Sequence, residues 1–236
     1  FRGPADSKVK VKFLRAGKMQ EVTITRGNIP VSSVDAAYMI APKVGFIRLN
    51  KFAERTYEEF MTELEKLQAQ KMQSLVLDLR GNTGGLMKEA VDMADEFLED
   101  NQLIVYTEGE NTPRTEFKAK RPGLFEKGKL VVLIDESSAS ASEILAGALQ
   151  DWDRATIMGR RSFGKGLVQQ QFQLSDGSAV RLTVARYFTP LGRNIQKSYA
   201  DGIEKYNDEL VGRFHQTDSS AKKDSLARSV KKYKTP

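Results

Sequence analysis

A serine-rich turn, a lysine between two glycines and a glycine-rich turn are the parts of this 236-residue sequence whose residue types could do chemistry. The first runs Asp135-Glu136-Ser137-Ser138-Ala139-Ser140-Ala141-Ser142-Glu143, between an apolar run and an amphipathic one. A strand-to-helix turn of this kind presents a serine hydroxyl beside first-turn amides that have no partner within the helix, and such donors suit an oxyanion. The same residues also make an ordinary helix cap, with Ser137, Ser138 or Ser140 accepting from the first turn and Glu143 at the third helical position. The second stretch is Arg160-Arg161-Ser162-Phe163-Gly164-Lys165-Gly166-Leu167-Val168-Gln169. Lys165 reads either as a surface lysine in a turn or as a lysine drawn into a pocket to serve as a neutral base. Free lysine titrates near ~10.4, so a base near neutrality needs that value lowered by roughly 3, or about 4 kcal/mol of differential desolvation. Gln169, four residues on, offers an amide oxygen that orients an amine without adding charge. The third stretch, Asp78-Leu79-Arg80-Gly81-Asn82-Thr83-Gly84-Gly85, is either a tight turn or a device that aims the amide of Gly84 or Gly85 at a substrate carbonyl.

Other chemistries fall away on residue counts. There is no cysteine and one histidine, His215, in a polar tail. That removes thiol nucleophiles, disulfides, cysteine-ligated zinc and multi-histidine metal centres, and a hydrolase here needs a base other than histidine. The expectation is therefore no metal and no cofactor. Gly159 to Lys165 matches the first seven positions of a phosphate-binding P-loop, but Gly166 stands where Ser or Thr must hold magnesium. The lysine of a P-loop also opens a helix, whereas Leu167 to Leu174 alternates like a strand.

The elements that must position these residues follow from periodicity. Residues 8–14 and 21–25 alternate charged or polar with apolar side chains, the period of a half-buried hairpin that needs more sheet to pack on. Val44 to Leu49 reads as a strand. Thr56 with Glu59 predicts a capping box, followed by a helix with Tyr57, Phe60, Met61, Leu64 and Leu67 along one face. Ser74 to Leu79 reads as a buried strand, then the Arg80–Gly85 turn, then a helix marked by Leu86, Ala90, Met93 and Phe97. Leu103–Tyr106 is expected to close this β-α-β unit. Residues 108–128 read as a long polar functional loop. A second unit follows, with strand Leu130–Ile134, a helix from about Ser140 to Leu149 and strand Ala155–Met158. Strands at 167–174 and 179–188, then helices at about 203–214 and 221–233, complete the reading. Alternating strands and helices predict an α/β core over about 45–190, with parallel pairing inside each crossover.

A hydrophobic content of 40% against 29% charged residues suits a globular chain of one to two domains. No run approaches the roughly 18 apolar residues of a membrane span. The net charge of +6 is carried by the ends: residues 31–200 hold 22 basic and 23 acidic side chains, so no nucleic-acid partner is expected. The chain opens Phe-Arg-Gly-Pro-Ala-Asp, without initiator Met or signal segment, and reads as a mature or shortened product.

In this order the three stretches resemble the C-terminal-processing (tail-specific) serine peptidases. That family carries L-D-L-R-x-N-x-G-G, then S-A-S-A-S-E-I, then F-G-K-G-x-x-Q, matched here by Leu77–Gly85, Ser138–Ile144 and Phe163–Gln169. The likeness runs from about residue 8 to 198 and includes Arg186-Tyr187-Phe188-Thr189-Pro190. It implies that Ser140 is the nucleophile, Lys165 the base and Gln169 its orienting partner. The oxyanion donors would be the amides of Ala141 and of a glycine in the Gly84-Gly85 pair, foremost Gly85. The implied fold is α/β, a crotonase/ClpP-like β-α-β core over 28–198. Before it stand residues 1–27, the last strands of a truncated PDZ-like module, and after it a polar, helical extension over 199–236. The implied partners are polypeptides with exposed C-terminal tails, in an extracytoplasmic setting such as a bacterial periplasm or cell envelope. Homo-oligomerisation, and membrane association through segments outside this chain, stay open. A catalytically silent tail-binding protein and a crotonase-like acyl-CoA enzyme are the competing classes.

Overall fold

The computed structural model describes residues 1–27 and 31–215. The helix expected at about 221–233 lies outside them. Two compact units emerge, Phe1–Ser32 and Ser33–Pro236. The first is the expected hairpin, β1 (Lys8–Arg15) and β2 (Lys18–Thr25), paired antiparallel from Lys8 opposite Thr25 to Arg15 opposite Lys18. Its apolar residues Leu14, Met19, Val22 and Ile24 are exposed.

The second unit is built on a five-stranded sheet of order β3-β4-β5-β8-β9. Its strands are β3 (Val34–Ala41), β4 (Val44–Leu49), β5 (Ser74–Asp78), β8 (Lys129–Ile134) and β9 (Thr156–Gly159). β3 joins β4 antiparallel, while β4, β5, β8 and β9 run parallel. Parallel strands covered by helices carry near-continuous apolar runs, as Leu75, Leu77, Leu130 and Val132 do here, all buried. α1 (Thr56–Ala69) buries Phe60, Leu64 and Leu67, the face its spacing predicted, against β3 and β4. α2 (Met87–Asp95) packs on α1 and on α3 (Ala141–Asp151), where Ala90, Met93, Ala94, Ile144, Leu145, Ala148 and Leu149 fill the core. Each such Leu, Ile or Met contributes about 1.5–3 kcal/mol by leaving water.

A second, antiparallel sheet has the order β10-β11-β6-β7. It comprises β6 (Leu103–Gly109), β7 (Thr112–Lys118), β10 (Leu167–Gln173) and β11 (Ala179–Phe188). Here the structure corrects two expectations. β6 does not close a β-α-β unit with β5; it pairs antiparallel with β11 and β7, and the parallel neighbour of β5 is β8. The stretch 108–128 is not one long loop, because Thr112–Lys118 is a strand. Pro113 and the polar alternation of this segment suit an edge strand, where one side of the backbone needs no ladder partner.

The capping box expected at α1 does not form. Thr56 Oγ1 donates to Ser33 Oγ (2.6 Å) and accepts from the Ala53 amide (2.7 Å), and Glu59 Oε2 accepts from the Ser33 amide (2.7 Å). Both side chains are spent fastening the entry to β3. After β11 the chain runs on to α4 (Ile203–His215), within the second unit.

Candidate active site

The three chemistry-bearing stretches leave the carboxyl ends of three neighbouring parallel strands. Asp78 of β5 stands opposite Leu133 of β8, and Leu133 opposite Met158 of β9. The glycine turn, the serine turn and the lysine loop therefore emerge side by side on one edge, where open α/β sheets place their ligands. This is why stretches some 60 and 20 residues apart in sequence can meet.

Asp78 anchors the first turn. Its carboxylate is fully buried and accepts from the Arg80 amide (3.0 Å), Arg80 Nε (2.9 Å) and Arg80 Nη2 (2.8 Å), with Arg48 at 4.0 Å. Burial works to raise its pKa, but the hydrogen bonds from Arg80 and the charges of Arg80 and Arg48 outweigh it and hold it below the ordinary value. A carboxyl lowered in the folded state stabilises above its unfolded value of about 3.9 and loses that contribution as pH falls through the folded value. Asp78→Asn is expected to cost about 1–3 kcal/mol at pH 7. In urea unfolding the gap between wild type and variant should close towards pH 3. A gap independent of pH would contradict the assignment.

Asn82, also fully buried, stitches the turns together. Its Nδ2 donates to the Leu49 carbonyl (3.1 Å) and its Oδ1 accepts from the Gly84 amide (2.9 Å). Its carbonyl accepts from the Ala139 amide (3.1 Å) and from Ser142 Oγ (2.9 Å). Gly84, at φ 93°, presses on the serine turn: a Cβ there would lie 2.5 Å from the Ala139 carbonyl oxygen and 2.9 Å from the Ala141 nitrogen. Only glycine fits this approach. Because the Gly84 amide is committed to Asn82, it is not available as the second donor of the expected pair. Among the described residues the amides of Gly85 and Ala141 have no acceptor.

The serines of the second turn differ sharply. Ser138 Oγ donates to the Leu79 carbonyl (2.8 Å) and Ser142 Oγ to Asn82, and both residues are fully buried. Asp135 collects the amides of Gly81, Ser137 and Ser138 at 3.0–3.1 Å. Ser140 is half-buried at the entry to α3, with φ 56° and ψ −113°. A non-glycine residue in that region stores on the order of 1–3 kcal/mol and marks a place where the fold holds a side chain against its preference.

Glu143 then joins the serine turn to the lysine loop. Its buried carboxylate accepts four hydrogen bonds: Oε1 takes Ser162 Oγ (2.7 Å) and the Gly164 amide (2.7 Å). Oε2 takes the Ser140 amide (2.9 Å) and the Lys165 amide (2.9 Å). Two donors on one oxygen hold the main-chain nitrogens of Ser140 and Lys165 no farther apart than twice 2.9 Å. A lysine side chain, with four rotatable bonds and a reach of about 6 Å, spans that gap.

The side chains themselves are not joined. Lys165 is exposed, and among the described residues its Nζ makes no hydrogen bond, to Ser140 Oγ or otherwise. The burial that the sequence reading asks of this lysine is absent from this arrangement. Gln169 is likewise exposed, next to a bulge between Val168 and Gln169 in the β10–β11 pairing. Bulges re-aim side chains. Its amide makes no side-chain hydrogen bond among the described residues. Local sequence pattern marks Glu143 only as a cap and marks neither Asn82 nor Asp135. Their work depends on partners such as Ser162, Gly164 and Gly81, which no local pattern pairs with them. No group of three or more metal-binding side chains stands together among the described residues.

Residues 43–205 match the sequence model described as Peptidase family S41. The chain is 42% identical over 202 residues to the carboxyl-terminal-processing protease of Synechocystis sp., covering 84% of this chain and 47% of that protein. It is 36% identical over 198 residues to the carboxy-terminal processing protease CtpA of Bacillus subtilis, covering 84% and 42%. It thus spans about half the length of the curated relatives it matches. Among solved structures, the photosystem II D1 C-terminal processing protease superposes with a TM-score of 0.65 at 35% identity, over 82% of this chain and 54% of that one. A putative S41 protease from Bacteroides fragilis superposes with a TM-score of 0.61 at 15% identity, over 85% and 60%, a likeness of fold.

Proposed function

The chain belongs to peptidase family S41, and from that premise we propose that it is a serine endopeptidase that cuts polypeptides near their C-termini through Ser140 and Lys165. One observation carries the reading: Glu143 Oε2 receives both the Ser140 and the Lys165 amide, so the strained serine and the flexible amine are held within reach of each other. In the reaction Lys165, uncharged, takes the Ser140 proton as the hydroxyl oxygen attacks the peptide carbonyl. The amides of Ala141 and Gly85 hold the resulting oxyanion, each such donor being worth roughly 3 kcal/mol of barrier. Protonated Lys165 gives its proton to the leaving amine, and water then releases the acyl group from Ser140. A substrate lying over the loop covers Lys165 and supplies the exclusion of water that the free site lacks. Gln169 turns inward to orient the amine.

The same reading gives the core over 28–198 a crotonase/ClpP-like character and makes the β1–β2 hairpin the end of a PDZ-like module. Substrates are polypeptides with exposed tails, and the setting is extracytoplasmic. These points rest on the family resemblance. Among the described residues no helix is long and apolar enough to cross a membrane.

The test is cleavage of a reporter protein carrying an unstructured apolar C-terminal tail. Wild type is expected to shorten the tail, and Lys165→Ala to lose at least about 1,000-fold in rate with an unchanged melting curve. A wild type that leaves the tail intact, or a Lys165→Ala that cuts normally, would overturn the proposal.

A further inference from the structure

Lys165 stands between two glycines that press on a single short segment. A Cβ at Gly164 would come 2.7 Å from Lys197 Cβ, and one at Gly166 would come 2.3 Å from the Gln196 nitrogen. Hydrogen bonds fasten both contacts. The Lys197 amide donates to the Gly164 carbonyl (2.9 Å), and the Gly166 amide donates to Gln196 Oε1 (3.0 Å). Gln196 Nε2 turns back to the Lys197 carbonyl (2.9 Å), which fixes the amide that receives Gly166. The pair Gln196-Lys197 therefore grips the loop on both sides of Lys165.

What seats this pair is a buried ammonium. Lys197 is 8% exposed, and its Nζ donates to the Tyr206 carbonyl (2.8 Å), pairs with Glu209 Oε2 (3.1 Å) and lies 4.2 Å from the centre of the Tyr206 ring. All three partners belong to α4. Tyr206 is itself stacked on Tyr199 at 4.5 Å, and Glu209 also meets Arg161, at the head of the lysine loop (3.4 Å). A lysine is tolerated in such a place only while its charge is paired and its donors are used. With α4 undocked, the Lys197 ammonium loses each of these partners, and the 196–197 segment loses its anchor to the helix.

We propose that Lys197 is a positioning residue: seated beneath α4, it holds the loop that presents Lys165, so the reaction depends on α4 being docked. The proposal rests on the peptidase reading of Ser140 and Lys165 and gives the C-terminal helix a part in it.

Lys197→Met keeps the apolar stem and removes the ammonium. In the full chain its kcat on the tailed reporter is expected to fall at least about tenfold with KM within about twofold, because a displaced base slows chemistry without altering substrate contacts. Lys197→Arg, which restores charge and donors beside a cavity of about 350 Å³, should recover most of the loss. Glu209→Gln, a change on the half-exposed face of α4, should lower kcat several-fold and leave the fold intact. A purely structural role predicts instead that kcat per folded molecule stays at the wild-type value in every variant. That result overturns the proposal, and should Lys197→Met fail to fold, an unchanged kcat in Glu209→Gln overturns it as well. Labelling by a fluorophosphonate separates the two layers. Wild type labelled at Ser140, with Lys197→Met labelled at the same rate, removes only the role of Lys197; wild type without label at Ser140 removes the peptidase reading and this one together.

Discussion

Replacing Ser140 by alanine is expected to lower peptide cleavage by about 10⁴–10⁶-fold, the loss that follows removal of the attacking atom in nucleophilic catalysis. The fold should survive, because the hydroxyl's structural part is confined to the capping box at the start of α3, a contribution of about 1 kcal/mol. Stability offers an independent check on the same residue. Ser140 holds φ 56° and ψ −113°, a region that alanine tolerates as poorly as serine and that glycine enters freely. Ser140→Gly should therefore be more stable than Ser140→Ala by about 1 kcal/mol, measured by thermal unfolding, although both are inactive. If neighbouring Ser137→Ala were the inactive variant and Ser140→Ala the active one, the assignment of the nucleophile would be wrong.

Glu143→Gln carries the second large expectation. The carboxylate is acceptor-only and is filled by four donors, the amides of Ser140, Gly164 and Lys165 and the hydroxyl of Ser162. An amide side chain of the same shape presents NH2 to one pair of those donors, so one side of the clamp turns repulsive. Leaving two buried donors without an acceptor costs about 2–4 kcal/mol. The positional effect is of a different kind: a displacement of about 1 Å between Ser140 and Lys165 is worth roughly 100-fold in rate. The variant should lose rate well beyond what its unfolded fraction accounts for, as kcat measured some 20 °C below its melting temperature would show. A kcat equal to wild type in the folded variant would mean that the clamp positions nothing.

The three chemical stretches were legible because each has a local cause. Small residues before an amphipathic helix, glycines after a buried strand and a lysine between glycines are written into adjacent positions, and strand periodicity puts them on β5, β8 and β9. The core face of α1, with Phe60, Leu64 and Leu67, was legible for the same reason. What stayed hidden depends on distant partners. Thr56 and Glu59 spell a capping box, yet Ser33 offers both of them better bonds once β3 is in place. Leu103–Tyr106 has the apolar run of a parallel strand, but β11, some 80 residues later, claims it for another sheet. Thr112–Lys118 hides behind Pro113 because an edge strand tolerates what a central strand cannot. At the site, Glu143 read as a cap is only part of the truth, since its other three donors arrive about 20 residues downstream. Lys197 gave no local signal at all, because its partners on α4 stand on a separate helix.

The central claim is that Lys165 activates Ser140 and no other hydroxyl of the turn. Mass-spectrometric mapping of fluorophosphonate adducts on wild type and on Lys165→Ala reads this out directly, since the probe bonds to the oxygen that loses its proton. The account predicts an adduct on Ser140 in wild type and none in Lys165→Ala. An adduct on Ser137, Ser138 or Ser142, or one on Ser140 that forms equally well without Lys165, would contradict it.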